Sequence, residues 1–171
     1  MEELNRKSVE EFRRAEKIPV IAVLENIRSA YNVGSVFRTA DAFLIEAVYI
    51  TGYTAKPPHK EITKTALGAQ DSVEWKYFEN TKMAIEELKQ NNFKIFAVEQ
   101  VADSISLEKF SEINIDKTVF IFGNEVSGVE QETITLCDGC IEIPQFGMKH
   151  SLNISVAAGI VLWEAVKAKS I

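Results

Sequence analysis

The chain has 171 residues, of which 46% are hydrophobic and 26% charged, and a formal net charge of -6. That length suits one compact domain with a sizeable core, and the acidic balance counts against indiscriminate binding of nucleic acid. No apolar run approaches the ~20 residues of a membrane span, and the charged N-terminus lacks the apolar core of a secretory signal, so a cytoplasmic protein is expected. Cys137 and Cys140 form a lone CxxC with no second pair and no nearby histidine. A zinc site is therefore not expected; buried or edge thiols in a reducing compartment are.

Residues 2–17 mix five acids with five bases around Leu4, Val9, Phe12 and Ala15. This predicts a peripheral helix, an N-terminal extension over residues 1–17. A single domain then runs from 18 to 171. Ile18 to Leu24, IPVIAVL, predicts a strand buried on both faces, as in a parallel sheet. Asn32 is placed to cap a helix starting near Val33. Val36, Phe37, Ala40 and Phe43 give that helix a core face, and Arg38 lies within its first turns. Ala47 to Thr51 predicts a second strand. Residues 51–64, TGYTAKPPHKEITK, carry three lysines, one histidine and one acid. They read as a basic loop around Pro57 and Pro58.

Val73 to Phe78 predicts a third strand, Thr81 to Asn91 a helix, and Phe93 to Val98 a fourth strand with Glu99 and Gln100 at its end. Residues 103–116 are polar and predict one short helix. Thr118 to Phe122, TVFIF, predicts a fifth strand that runs into Gly123-Asn124-Glu125-Val126-Ser127-Gly128. Two glycines around a carboxylate at a strand end allow close backbone approach to a ligand. Glu130 to Leu136 predicts a helix and Ile141 to Pro144 a last strand. Pro144 and Gly147 break regular structure. Ser151 and Asn153 can cap the final helix, Asn153 to Lys167, which is apolar nearly all round until Glu164. In so small a domain a second apolar face points to a subunit interface, with burial inside the monomer as the competing reading. Strands alternating with helices predict an α/β fold, a largely parallel sheet flanked by helices.

Familiar chemistry is excluded first. There is no GxxxxGK[ST] and no GxGxxG after the first strand. His59 and His150 sit at turns without an obvious nucleophile, and metal-ligand spacing is absent, so no metal is expected. Polar groups instead collect at three strand ends: Asn32 with Arg38, Asn124 with Glu125, and Ser151 with Asn153. That pattern describes a site for a small polar ligand beside a charged group.

The segments NVGSVFRTADA, FGNEVSG and IPQFGMKHSLNISVA, in that order, resemble the three motifs of the SpoU/TrmH class of SPOUT RNA 2′-O-ribose methyltransferases. The resemblance runs from Ile18 to the C-terminus. It implies an α/β fold with a deep trefoil knot in the C-terminal half, a homodimer through the last helix, and S-adenosyl-L-methionine as methyl donor, bound in the knot. By motif, Gly123, Ile143 and Leu152 match donor-contacting positions that act through the backbone. Asn124 and Gly128 belong to the same loop, and Gln145, Phe146, Met148 and Glu99 are weaker donor-pocket candidates. Phe146 and Met148 read equally well as core residues.

Arg38, Asn32, Glu125, Ser151 and Asn153 match the family's catalytic set. The implied reaction is in-line attack of a ribose 2′-hydroxyl on the donor methyl. A guanidinium stays protonated, so Arg38 is expected to grip the adjoining phosphate and stabilise developing alkoxide charge rather than act as a base. Asn32, Ser151 and Asn153 are expected to hold Arg38 and the ribose, and Glu125 to orient Arg38 or neighbouring main chain. Arg28, Lys56, Lys60, Lys64, Lys149 and His150 are candidate phosphate contacts, and an RNA affinity that falls steeply with salt follows from them. The first motif departs from a common proline-containing lead-in, with Arg28-Ser29-Ala30-Tyr31 in its place. A minimal protein reads local shape, which favours tRNA over ribosomal RNA. Two alternatives compete: a methyltransferase for small molecules, which net acidity favours, and a non-catalytic RNA-binding module, which the intact Arg38, Glu125 and Asn153 set argues against.

Overall fold

A computed structural model describes residues 7–113, 116–148 and 151–169. Seven strands form one sheet: β1 (Ile18–Glu25), β2 (Ile45–Thr51), β3 (Glu74–Phe78), β4 (Lys94–Val98), β5 (Ile105–Ser106), β6 (Thr118–Phe122) and β7 (Gly139–Glu142). Their order is β3-β2-β1-β6-β4-β7-β5 and every pairing is parallel. The helices are α1 (Val9–Arg14), α2 (Ala30–Ala42), α3 (Lys60–Ala66), α4 (Ala69–Ser72), α5 (Thr81–Gln90), α6 (Gln131–Leu136) and α7 (Ile154–Lys169), with a 3₁₀ segment at Leu107–Glu112.

The continuous apolar strands divide their side chains between two cores, because successive residues point to opposite faces. Val20, Ala22 and Leu24 enter the core shared with α2 and α7. Ile21 and Val23 enter the one covered by α5 and the α6 segment. Phe12 of α1 joins the first core, so this part of the N-terminal extension is docked on the same body.

The chain departs from the sequence expectations at several elements: β2 starts at Ile45, two residues early, and a short helix, α4, follows α3 unannounced. Helix α2 is capped by Ser29, whose side chain accepts from the Asn32 N–H, and so starts before Val33. The expected basic loop turns helical at Lys60. His59 caps α3, and Ile62 and Ala66, one turn apart, are buried. Residues 103–116 supply a short edge strand before the 3₁₀ turn, whose Leu107 and Phe110 are buried. Strand β7 spans Gly139–Glu142 and leaves Ile143 and Pro144 in a loop; Pro144 has no N–H to extend a ladder.

Candidate active site

The first motif supplies the N-terminus of α2, the second the turn after β6, and the third the turn between β7 and α7. Glu125 binds these together. Its carboxylate accepts from the main-chain N–H groups of Arg28 (2.9 Å) and Ser29 (3.2 Å), and from Asn32 Nδ2 (3.2 Å). Burial works to raise the Glu125 pKa, but these donors outweigh it and hold the carboxyl below its ordinary range. Asn153 Nδ2 donates to Asn32 Oδ1 (3.2 Å), while Asn153 Oδ1 caps α7 by accepting from the N–H and hydroxyl of Ser155 (2.9 and 2.6 Å). One hydrogen-bonded chain, Ser155–Asn153–Asn32–Glu125, therefore crosses all three motifs. It exists because Ser29 does the capping of α2, which leaves the Asn32 side chain free to bridge.

Two cavities flank the start of α7. The first, of about 280 Å³, is lined by residues of 122–128, 141–145 and 151–157, with Val98, Glu99 and Gln100. Of the donor-pocket candidates, Gly123, Asn124, Gly128, Ile143, Gln145, Leu152 and Glu99 line it, as do Glu125 and Ser151. Phe146 and Met148 do not line it; they are 96% and 87% exposed, which also rules out the core reading for both. Among the described residues the main-chain groups of Ile143, Gln145 and Leu152 make no hydrogen bonds to protein, so they remain for a ligand.

The glycines of this loop, which line the cavity, also do a packing job that the sequence reading did not foresee. A Cβ on Gly123 would stand 2.2 Å from the carbonyl carbon of Gly128, and Gly128, at φ +70°, lies against Glu99 Oε2. The absent side chains let the loop close on itself and on Glu99, which also accepts from the Val129 N–H (3.0 Å).

The second cavity, of about 570 Å³, is lined by Arg38 and Lys64 with the hydroxyls of Ser35, Thr39, Thr65 and Ser155, and by Ala42, Phe43 and Gly159. Arg38 is exposed, and among the described residues its guanidinium makes no hydrogen bond or ion pair. Contrary to expectation, Asn32 and Asn153 bond each other rather than Arg38, and Ser151 makes no hydrogen bond among the described residues; of the two tasks expected of Glu125, its contacts are to main chain and not to Arg38. Of the phosphate-contact candidates, Arg28, Lys56, Lys60 and Lys64 are exposed. Lys149 and His150 lie outside the described residues.

The charges of the two cavities differ in sign. Glu99, Glu125 and Glu142 face the first, and its described lining holds no cation. That donor set suits a positively charged ligand such as a sulfonium and disfavours a phosphate-bearing one. The second cavity is lined by two cations, Arg38 and Lys64, with no carboxylate in its described lining, which suits an anion; its four hydroxyls already donate within the protein.

Sequence reasoning missed Ser29, Ser155, Tyr53 and Asn26. Asn26 stands at the end of β1 with φ 53°, donates to Glu130 (2.6 Å) and accepts from the Tyr53 N–H (3.3 Å). An Asn between a strand and a helix is the one signal that could have marked it, since Asn tolerates that backbone region. Cys137 and Cys140 form no disulfide, and burial pushes the Cys137 thiol up to about 12.

Residues 19–163 match the model of the SpoU rRNA Methylase family. A tRNA (guanosine(18)-2′-O)-methyltransferase of Thermus thermophilus is 31% identical over 168 residues, covering 98% of this chain and 84% of its own. The A. aeolicus TrmH/SpoU tRNA modifying enzyme superposes with a TM-score of 0.82 at 28% identity, covering 95% of this chain and 81% of that one. An AdoMet-bound rRNA methyltransferase from Sinorhizobium meliloti gives 0.80 at 26% identity, covering 91% and 59%.

Proposed function

The chain belongs to the SpoU methylase family, and on that premise we propose that it moves the methyl group of S-adenosylmethionine onto a ribose 2′-hydroxyl of RNA, with tRNA favoured over ribosomal RNA. The observation that carries this reading is the pair of oppositely charged cavities on the two sides of one helix start. A sulfonium donor and a phosphate-bearing acceptor need that pairing. The preference for tRNA is supported by relatives of similar length that are named for tRNA.

S-adenosylmethionine supplies, when bound, a methyl group open to attack by an oxygen nucleophile. The main-chain groups of Ile143, Gln145 and Leu152 would read its adenine edge, and Glu99, Glu125 and Glu142 would favour its positive charge. Arg38, with Lys64 beside it, grips the phosphate next to the target ribose and stabilises charge developing on the 2′-oxygen. Asn153 and Asn32 hold the wall between the two cavities at a fixed spacing, which keeps acceptor and donor aligned. Ser151 rims the donor cleft on the same wall.

Three further assignments belong to this reading. Residues 18–171 form the methyltransferase domain, with 1–17 as an extension. The trefoil crossing of the family is included, supported by β7 entering the sheet beyond β4 although it follows β6 in the chain. Two copies pair through α7, where Val156, Ile160 and Trp163 form an exposed apolar stripe; an RNA substrate places the reaction in the cytoplasm.

The direct test takes tRNA and rRNA from cells lacking this protein, incubates them with labelled donor, and maps the product. A 2′-O-methylated ribose in tRNA is expected, with guanosine 18 the first position to inspect. Label on a small metabolite and none on RNA overturns the reading.

A further inference from the structure

Two tyrosine rings, one within the lysine-bearing segment 51–64 and one in contact with its Lys56, are held more firmly than surface rings need be. Tyr53 follows β2 directly after Gly52. Its main-chain N–H donates to Asn26 Oδ1 (3.3 Å) and its hydroxyl accepts from Asn124 Nδ2 (2.7 Å), yet the residue is 65% exposed. Tyr77 of β3 donates its hydroxyl to the Gly52 carbonyl (3.0 Å), and the Lys56 ammonium lies 3.7 Å from the centre of its ring. Each ring is fixed at its polar end and keeps part of its apolar body toward water. Tyrosine ordinarily gains from the opposite arrangement, body buried and hydroxyl wet.

The anchor of Tyr53 places its ring in relation to the site. Asn124 Nδ2 also donates to the Asn26 carbonyl (2.9 Å), and Asn124 Oδ1 accepts from the N–H groups of Val126 (2.8 Å) and Ser127 (3.1 Å). Tyr53 is thus one hydrogen bond from the loop lining the donor cleft, and its partner is the chain neighbour of Glu125. Around it, residues 51–64 concentrate three lysines in a chain of net charge -6. Pinned aromatic faces beside cations on an otherwise acidic protein match one ligand chemistry well: unpaired bases on a phosphate backbone.

We propose that Tyr53, flanked by Tyr77 and Lys56, is a stacking platform for an unpaired base of the RNA substrate close to the target nucleotide. This rests on the RNA reading given above. Every base has a π face, so such a platform holds single-stranded RNA without reading its sequence. The fixed ring loses little conformational freedom when the base arrives, and the neighbouring ammonium serves the backbone charge.

Full-length Tyr53→Leu, Tyr53→Phe and Tyr53→Trp chains test this against bulk tRNA by fluorescence anisotropy, with S-adenosylhomocysteine calorimetry as a measure of an intact donor site. Tyr53→Leu is expected to bind bulk tRNA weaker by about tenfold or more, the loss of one stacked base. Tyr53→Phe and Tyr53→Trp keep a ring and are expected to bind it as the unmodified chain does. Undiminished tRNA binding by Tyr53→Leu overturns the platform. Equal weakening in Tyr53→Phe and Tyr53→Leu also overturns it, because the hydroxyl anchor and not the ring face would then carry the effect. If the leucine chain does not fold, weakened binding by the phenylalanine and tryptophan chains is still decisive against it. An unmodified chain that binds neither bulk tRNA nor bulk rRNA removes the RNA reading itself, and the platform with it.

Discussion

At the scale of single residues, Arg38 separates composition from placement. Its identity and its position six residues after Asn32 are plain in the sequence. Its cavity is not, because that depends on α7 packing beside α2 and on Lys64 arriving from α3. The arrangement fixes what substitution does. Arg38→Ala is expected to lower methyl transfer by about a hundredfold or more while S-adenosylhomocysteine binding, measured by calorimetry, stays unchanged, since Arg38 lines the second cavity and not the donor cavity. Arg38→Lys keeps the charge but loses the planar fork, so partial recovery of kcat separates a charge requirement from a geometric one. Near-normal turnover by the alanine variant removes Arg38 from the chemistry. Phe146 and Met148 teach the converse: large apolar side chains beside a motif look like pocket or core, and they are neither when their loop carries them outward.

At the scale of elements, the junction of α2 with the loop after β6 rests on one carboxylate. Glu125 accepts from the main-chain N–H groups of Arg28 and of the cap residue Ser29, just ahead of the first turn of α2, and its charge favours that end of the helix dipole. Its folded-state pKa lies below the ordinary value of 4.5. The stabilisation is therefore present above that value and is lost as pH falls through the lower folded-state pKa. Unfolding midpoints measured between neutral pH and about pH 3 should fall more steeply for the unmodified chain than for Glu125→Gln, whose amide does not titrate. Parallel curves for the two chains rule the junction out as a source of acid sensitivity. A buried counterpart stands at the other end of the same loop: Glu25 accepts from the Glu130 N–H (2.8 Å) and the Thr133 hydroxyl at the start of α6. Neither junction can be read from local pattern, since Glu25 and Glu130 are more than a hundred residues apart.

At the scale of the whole molecule, α7 has to satisfy two faces. Ile154, Ala158, Val161, Leu162, Ala165 and Val166 are buried in the core shared with α2, the 3₁₀ segment and the sheet, while Val156, Ile160 and Trp163 stay exposed at one-turn spacing. Phe43 of the α2 C-cap packs on Trp163 with the two rings tilted and their centres 5.6 Å apart, and extends the stripe toward the Arg38 cavity. Pairing of two copies there would bury apolar surface that a lone chain leaves wet. Sedimentation of the unmodified chain should give a dimer, and Trp163→Glu a folded monomer, because the substitution sets a charge in the seam without touching the inner face. A unmodified chain that sediments as a monomer ends that assignment.

Every strand but the two-residue β5, the parallel α/β class and the three motif-bearing turns were legible in the sequence because each depends on local pattern: continuous apolar runs for strands buried on both faces, apolar positions one turn apart for α2, and breakers such as Pro144 at turns. The resemblance of three segments to one family marked the candidate site for the same reason, since each segment is contiguous. The boundaries of α2 and β7, the helix hidden in the basic stretch at 60–66, and the partners of every polar side chain were set only by tertiary structure. Hydrogen bonds such as Asn153 to Asn32 join residues 121 positions apart, and the sign of charge in each cavity is a sum over loops that meet only when the sheet has assembled. Local sequence decides which backbone shapes are cheap; which side chains share a cavity is decided by packing.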